Sequence, residues 1–167
     1  PTTPVTATDF RASTLNGKPV LTWWEGKYSR EGLGRGVYVI VDDSYREIAR
    51  IRAGGHWDGD LHEFLLTSEG TALVTKNEAV VRDLTAYGGS SRSILYGGVV
   101  QEIAVPSGRV LFEWRSLDHV DLSESHVSAN ENHFDYFHIN SIDVDVDGHL
   151  LVSARNTWAV YKVHRRT

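Results

Sequence analysis

Short runs of β-branched and aromatic residues, separated by turn residues, constrain the fold of this chain more than any other feature. Such runs are typical of β-strands. They cover residues 20–25, 37–41, 47–52, 61–67, 71–76, 99–105, 109–115, 139–146, 150–154 and 158–163. No segment has the spacing of an amphipathic helix, so the chain is predicted to be all-β. The polar stretches 83–98 and 118–135 are predicted to be surface loops that carry function or contacts.

The turns between these runs predict antiparallel pairing. Ser68-Glu69-Gly70, Pro106-Ser107-Gly108 and Asp147-Gly148 each join two apolar runs. Gly, Pro, Asp and Ser are the residues that tight turns favour, because they accept or pre-set the required backbone angles. Consecutive strands are therefore expected to form hairpins and meanders.

A weak internal repeat suggests how the strands are grouped. The segment from His62 through Gly70 to Ala72-Leu73-Val74 resembles the segment from His138 through Gly148 to Leu150-Leu151-Val152. In both, a histidine starts an inner strand, a glycine turn follows, and an apolar strand returns. Repeated four-stranded units predict the blades of a β-propeller. We expect residues 1–167 to form a partial propeller, with an N-terminal extension at 1–16 and blades at about 17–54, 60–116 and 135–167.

Composition excludes several classes of protein. The 167 residues are 41% hydrophobic and carry a formal net charge of −5 without a basic block, which argues against nucleic acid or an anionic membrane as the main partner. Cysteine is absent, so the chain has no disulfide and no thiolate metal site. No apolar run reaches the ~20 residues that span a bilayer. The chain begins with Pro1, which indicates a processed chain or a fragment, and a mature secreted chain would already lack its signal peptide.

His138, Asn140 and Arg155 form the most informative polar pattern. Residues two apart on a strand point to the same face, so His138 and Asn140 are predicted to share one. A short turn then sends the chain back, which returns Arg155 to the same neighbourhood. An imidazole, a carboxamide and a guanidinium together suit an oxyanion such as sulfate or phosphate.

Other polar and aromatic patterns have simpler interpretations. The motif that starts at Asp143 resembles a calcium loop, but its twelfth position is Ala154 where a glutamate is needed, so an acidic strand face is the better interpretation. No metal site is predicted, because the spacing of the remaining histidines matches no ligand motif: His56, His119, His126 and His133. Packing between blades is the expected role of four tryptophans: Trp23, Trp24, Trp114 and Trp158.

The chain resembles the arylsulfotransferase family of β-propeller proteins. The resemblance covers nearly everything from Gly17 onward, in blocks at residues 19–26, 60–64 with 70–73, 100–103 with 112–120, and 135–163. It implies a six-bladed propeller, of which this chain supplies about three four-stranded blades, with a funnel-shaped site on the axis. It also implies export, and hence an extracellular or cell-envelope location.

The resemblance implies a chemistry and a set of residues. Family members move a sulfuryl group from an aryl sulfate to a phenol through a transient sulfohistidine, without a nucleotide sulfate donor, a metal or another cofactor. His62, His138, Asn140 and Arg155 match positions that hold the sulfuryl oxygens. The nucleophilic histidine of the family lies further downstream, beyond Thr167, so none of the eight histidines is assigned that role. The chain alone is therefore not expected to be catalytically competent.

Two functions stay open from the sequence. The first is an arylsulfotransferase-like enzyme that acts on aryl sulfates and phenolic small molecules. The second is a non-catalytic propeller that serves as a binding or structural module, since fold does not fix function. In either case, open blade faces and unpaired strand edges predict contact with another protein chain or with the missing propeller half.

Overall fold

A computed structural model describes residues 5–29, 32–54, 58–130 and 132–165. Within these ranges the chain forms twelve β-strands and three 3₁₀ turns of three residues each, at Thr85–Tyr87, Ser116–Asp118 and Leu122–Glu124. The all-β prediction is confirmed. The strands form three sheets with antiparallel neighbours, as expected for blades of a partial β-propeller. None of the helical turns in the described ranges is long and apolar enough to cross a membrane.

The first sheet is a four-stranded meander in the order β1-β2-β3-β4. Its strands are β1 (Thr6–Leu15), β2 (Lys18–Tyr28), β3 (Gly34–Asp42) and β4 (Glu47–Ile51). Alternate side chains of β2 are buried, as expected when one face of a strand packs inward, whereas Val37–Val41 of β3 are all buried and so are covered on both faces. Within the N-terminal extension expected over residues 1–16, Thr6–Leu15 form a strand that pairs with β2 from Thr6↔Gly26 to Leu15↔Lys18. The mixed polar and apolar sequence of β1 hides this strand from a hydrophobicity pattern.

The second sheet has the order β5-β6-β7-β8, with β9 as an additional partner of β7. Its strands are β5 (Phe64–Leu66), β6 (Thr71–Arg82), β7 (Ser93–Ala104), β8 (Val110–Arg115) and β9 (His133–Asp135). β7 starts at Ser93, so the predicted loop 83–98 is shorter than expected. β9 lies inside the predicted loop 118–135 and pairs in parallel with β7, with Tyr96 opposite Asp135.

The third sheet is a three-stranded meander of β10 (Ile139–Val144), β11 (Leu150–Ala154) and β12 (Ala159–Val163). The Asp147-Gly148 hairpin turn lies between β10 and β11, as predicted. Gly148 adopts a φ of 82°, which favours glycine. The blade boundaries proposed from the sequence stay a prediction, since no measurement here defines a blade.

The chain divides into two compact units. Unit 1 comprises Pro1–Lys76 and Val100–Glu113, and unit 2 comprises Asn77–Val99 and Trp114–Thr167. Large buried side chains form the core of unit 1, including Trp24, Tyr38, Ile40 and Phe64. Buried side chains of unit 2 include Leu95, Tyr136, Phe137, Leu150 and Val152. His62 belongs to unit 1, whereas His138, Asn140 and Arg155 belong to unit 2.

Candidate functional site

His138 lies directly before β10, not within it. Its φ is 56°, in the left-handed region that histidine tolerates better than branched residues do. The prediction that His138 and Asn140 share one strand face assumed that both residues lie on the strand, and this assumption is wrong for His138. The side chain is almost completely buried, with 1% of the residue exposed. A left-handed residue at the start of a strand turns its side chain away from the regular pleat, which sequence periodicity does not reveal.

Asn140 occupies an irregularity in the pairing of β10 with β11. Ile139 is opposite Ala154 and Ser141 is opposite Ser153, so Asn140 is the additional residue on its strand. Such a β-bulge bends the strand and redirects the side chain of the extra residue. Asn140 is exposed, in contrast to His138. The carboxamide is therefore accessible to a ligand.

Arg155 starts the turn that follows β11, and backbone hydrogen bonds bring this turn to His138. The N–H of Arg155 donates to the carbonyl of His138 at 2.9 Å, and the N–H of Asn156 donates to the carbonyl of Phe137 at 3.1 Å. The prediction that the returning strand places Arg155 near His138 is confirmed at the level of the backbone. Arg155 is exposed, and the described part of the chain gives its guanidinium no carboxylate partner.

Asp135 and Asn156 connect Arg155 to His138, and neither was identified from the sequence. A carboxylate oxygen of Asp135 is hydrogen bonded to Nδ1 of His138. Asn156 Nδ2 donates to the backbone carbonyl of Asp135 at 2.5 Å, and Arg155 Nε donates to Asn156 Oδ1 at 3.4 Å. The buried amide of Asn156 thus joins the guanidinium to the segment that holds the histidine. An Asp three residues before a His was the available signal.

An aromatic cluster anchors the segment that carries His138. Phe137 is completely buried and its ring centroid lies 5.2 Å from that of Tyr161, 5.7 Å from that of Trp114 and 5.7 Å from that of Tyr136. Pairs at these separations stabilise one another beyond simple burial. Because Phe137 is fixed, the position of the adjacent histidine is fixed as well.

His62 has an arrangement like that of His138, within unit 1. It lies two residues before β5, and its Nδ1 is 2.6 Å from Asp60 Oδ2. The other carboxylate oxygen of Asp60 accepts the N–H of Gly34 at 2.6 Å. Asp60 also donates its own N–H to the carbonyl of Thr75 at 2.8 Å, and its carbonyl accepts the hydroxyl of Tyr38 at 2.8 Å. Asp60 therefore holds backbone segments together as well as orienting His62.

Two further carboxylates of unit 1 pair with Arg11. Arg11 Nε lies 2.7 Å from Asp9 Oδ1, and Arg11 Nη2 lies 2.5 Å from Glu63 Oε1, so two carboxylates pair with this guanidinium. Asp9 also accepts the N–H of Phe64 at 2.7 Å. Burial raises the pKa of Asp9 above its ordinary value, against the lowering by Arg11 and by the Phe64 N–H. Whether His62 converges with the three residues of unit 2 stays a prediction.

Trp158 is not a packing residue of a strand, contrary to the expectation from sequence. It ends the turn that Arg155 starts, has a φ of 52° and is 76% exposed. The imidazole of His126 stacks on its indole, with ring centroids 4.1 Å apart and an interplanar angle of 9°. The N–H of His126 donates to the carbonyl of Asn156 at 2.7 Å, which fixes the stack to the turn.

The acidic residues after β10 pair with a lysine. Lys162 Nζ lies 2.6 Å from Asp145 Oδ2 and 2.5 Å from Asp147 Oδ2. This pairing agrees with the interpretation of the motif as an acidic strand face with a turn. Across the described ranges, no group of three or more His, Asp or Glu side chains is arranged to hold a metal ion.

The fold and the site together define an all-β protein with blade-like sheets and two Asp–His pairs at strand starts. A model of the family described as arylsulfotransferase (ASST) matches residues 11–167. The chain belongs to the arylsulfotransferase family, which confirms the resemblance drawn from the sequence. A search of curated proteins and a search of solved structures each found no match.

Proposed function

We propose that this chain contributes sulfuryl-binding side chains to an enzyme that moves a sulfuryl group from an aryl sulfate to a phenolic acceptor. The observation that carries the proposal is the network from Arg155 through Asn156 and Asp135 to His138. It links an exposed guanidinium to the segment that carries an oriented imidazole, and membership of the arylsulfotransferase family supports sulfate as the anion.

The proposed reaction is a group transfer without a change of oxidation state. The bond between the aryl oxygen and sulfur breaks, the leaving phenolate takes up a proton, and sulfur ends on the oxygen of the acceptor phenol, which loses its proton. Negative charge on the three sulfuryl oxygens needs directed donors throughout the transfer. Arg155 supplies fixed charge and a planar set of N–H groups, and Asn140 supplies a neutral donor beside it. We assign the nucleophile to none of the histidines of this chain.

His62 is proposed as a further sulfuryl-binding residue, on the strength of its match to the family. Its Nδ1 is hydrogen bonded to Asp60 Oδ2, which orients the imidazole. Both histidines are bonded to a carboxylate, so the difference lies in the arginines: Arg11 of unit 1 is paired with two carboxylates, whereas Arg155 is linked to the His138 segment through an amide. Of the two histidines, His138 therefore has the surroundings that better suit sulfate.

The setting of the reaction is also part of the proposal. Family membership supports an exported protein that meets aryl sulfates and phenols outside the cytoplasm. The chain is proposed to act together with another protein chain or with further propeller blades, because the sheets found here would leave open blade faces.

One observation favours a non-catalytic propeller module instead. His138 is almost completely buried, and a histidine that touches the sulfuryl group needs some access to it. A binding module that uses Arg155 and Asn140 alone would be compatible with that burial. Turnover separates the two functions, because the module binds aryl sulfates without consuming them.

The test is calorimetric titration of the chain with sodium sulfate and with an aryl sulfate. Arg155→Ala is expected to weaken binding of both by about 1.5–3 kcal/mol, the usual range for a charged hydrogen bond. Arg155→Lys keeps the charge but loses the planar fork, so its loss should be intermediate. Arg46→Ala removes an exposed arginine of unit 1 that pairs with Asp42 and should leave binding unchanged. Equal binding by the wild type and Arg155→Ala would refute the anion site.

A further inference from the structure

The turn Arg155–Trp158 carries two different surfaces for a ligand. At its first residue is the exposed guanidinium proposed to bind sulfate, and at its fourth is an indole that is 76% exposed. The N–H of Trp158 donates to the carbonyl of Arg155 at 3.4 Å, which closes the turn. The first and fourth Cα atoms of a β-turn lie within about 7 Å of each other, less than the combined reach of an Arg and a Trp side chain.

The indole is held in place rather than left to rotate. His126 stacks on it with centroids 4.1 Å apart, nearly parallel, and is itself bonded through its backbone to Asn156. The stack covers one face of the indole, so the large exposed fraction comes from the other face and the edge. An aromatic surface fixed in advance loses little conformational freedom when a ring binds to it.

The backbone at Trp158 is in an unfavourable conformation for its residue type. A φ of 52° is uncommon for a bulky side chain, and glycine or asparagine would fit this position with less strain. Such conformations persist only where the surroundings maintain them, and here the stack on His126 does so. Trp158 is still 76% exposed, so burial in a core does not account for it.

We propose that Trp158, supported by His126, is the stacking surface for the aromatic ring of an aryl sulfate whose sulfate group lies on Arg155. The inference rests on the proposed function for the identity of the anion. It makes Trp158 a specificity-determining residue, because an aliphatic sulfate ester of the same charge gains nothing from the indole. Ring stacking of this kind contributes about 0.6–1.4 kcal/mol beyond burial, or about threefold to tenfold in affinity.

The experiment compares phenyl sulfate with methyl sulfate, which carry the same charged group and differ in the ring. The wild-type chain is expected to bind phenyl sulfate about threefold to tenfold more tightly, and Trp158→Asn to bind the two esters equally. Asparagine is chosen because it accepts a left-handed backbone, so the turn should keep its shape. Tyr45→Asn is the matched control, since Tyr45 is 79% exposed with a φ of 60° and lies in unit 1.

His126→Ala tests the support beneath the indole. It should reduce the preference for phenyl sulfate by less than Trp158→Asn does, and should leave methyl sulfate binding unchanged. The proposal is overturned if Trp158→Asn retains the full preference for phenyl sulfate. It is overturned equally if Trp158→Asn weakens methyl sulfate as much as phenyl sulfate, since Trp158 would then serve only to shape the anion site.

Phenol alone separates a failure of this inference from a failure of the proposed function. Binding of phenol is followed through the indole N–H resonance of Trp158, which Trp158→Asn identifies by its disappearance. If phenol shifts that resonance while neither sulfate ester responds to Arg155→Ala, the aromatic surface stands and the anion site fails. If both esters respond to Arg155→Ala while phenol and phenyl sulfate leave the resonance unmoved, the anion site stands and the aromatic surface fails.

Discussion

The Asp60–His62 pair of unit 1 and the Asp135–His138 pair of unit 2 use the same local device in different surroundings. In both, a carboxylate holds Nδ1 of a histidine that lies just before the first strand of an antiparallel pair. A carboxylate in that position fixes the tautomer and the ring orientation. The shared device explains why the two segments look like a repeat in the sequence.

The two pairs differ in the groups that the aspartate binds and in the partners of an arginine in the same unit. Asp60 binds the Gly34 N–H as well as His62, whereas the carboxylate of Asp135 binds His138 alone among the described residues. In unit 1 the nearby guanidinium of Arg11 is paired with two carboxylates. Among the described residues of unit 2, the guanidinium of Arg155 is hydrogen bonded to a neutral amide and to no carboxylate. We infer that the pair in unit 1 serves mainly stability, and the proposed anion site belongs to unit 2.

The largest expected effect is on the stability of unit 1. Asp60→Ala leaves the buried Gly34 N–H and the His62 ring without their acceptor, and should lower the free energy of unfolding by about 2–4 kcal/mol. Urea denaturation followed by tryptophan fluorescence measures the change. Asp43→Ala, at an exposed turn position, should stay within about 0.5 kcal/mol of the wild type. If Asp60→Ala costs no more than Asp43→Ala, the structural role assigned to Asp60 is wrong.

The second-largest expected effect is on sulfate binding, when Arg155 of unit 2 is given a carboxylate partner such as Arg11 has in unit 1. Asn156→Asp places a carboxylate where Arg155 Nε now donates to an amide oxygen at 3.4 Å. Coulomb attraction near a protein surface should then pair Arg155 internally, and the substitution also removes the donor to the Asp135 carbonyl, so sulfate binding should weaken by about 1–2 kcal/mol. Titration with sodium sulfate at fixed ionic strength checks this.

The control for this substitution adds the same charge elsewhere in unit 2. Asn130 is exposed, and its Oδ1 accepts two backbone N–H groups before β9, which a carboxylate can also accept. Asn130→Asp should therefore fold normally and bind sulfate nearly as the wild type does. A similar loss in both variants would indicate a general effect of net charge and would remove the argument for a specific Arg155 site.

A smaller effect is expected from Asp135→Asn. The carboxamide can still accept from His138 Nδ1, but it lacks the charge that stabilises an imidazolium. We expect a loss of about 0.5–1.5 kcal/mol in the free energy of sulfate binding, with a change in stability smaller than that of Asp60→Ala. Parallel titration and urea denaturation of Asp60→Asn and Asp135→Asn measure both quantities. Should Asp60→Asn weaken sulfate binding more than Asp135→Asn does, the assignment of roles to the two pairs would be reversed.

Sequence patterns identified the all-β fold and the candidate residues but not their geometry. Alternation and turn residues reveal strands because burial of one face and tight turns select residue types directly. They missed β1, whose polar residues weaken the pattern, and β9, which is short and parallel. The left-handed φ of His138 and the bulge at Asn140 depend on the register with β11, which a single strand does not encode.

The partners of the candidate residues were also beyond the sequence. The sequence does not distinguish Asn156 from any other turn residue, since Asn is common in turns, and only its bond to the carbonyl of Asp135 gives it a role. Trp158 was assigned to packing because tryptophans near strands are usually buried. Its exposure follows from the turn that Arg155 starts, and that turn is set by the hydrogen bonds to Phe137 and His138.

The smallest predicted effect is a difference in the sign of the pH dependence between Asp9 in unit 1 and Asp121 in unit 2. Burial raises the pKa of Asp9 in unit 1 above its ordinary 3.8, so the Asp9 carboxyl ionises at a lower pH in the unfolded chain than in the folded one. Stability then falls as pH increases from 3.8 through the raised pKa. In unit 2 the hydroxyl and N–H of Ser123 lower the pKa of Asp121, so its contribution is present above the ordinary value and is lost as pH falls through the lowered one.

Two substitutions measure these opposite slopes. Asp9→Asn should remove a contribution that lowers stability as pH rises, and Asp121→Asn should remove a contribution that raises stability as pH rises. Both are measured as differences from the wild type in the urea midpoint, between about pH 2.5 and 6. Asn keeps an acceptor oxygen at both positions, so the bond to the Phe64 N–H and the bond to the Ser123 N–H can persist. Slopes of the same sign would mean that Arg11 outweighs burial at Asp9. The carboxylates of unit 1 would then be neutralised more completely than their burial implies. The electrostatic argument against an anion at His62 would be much weaker.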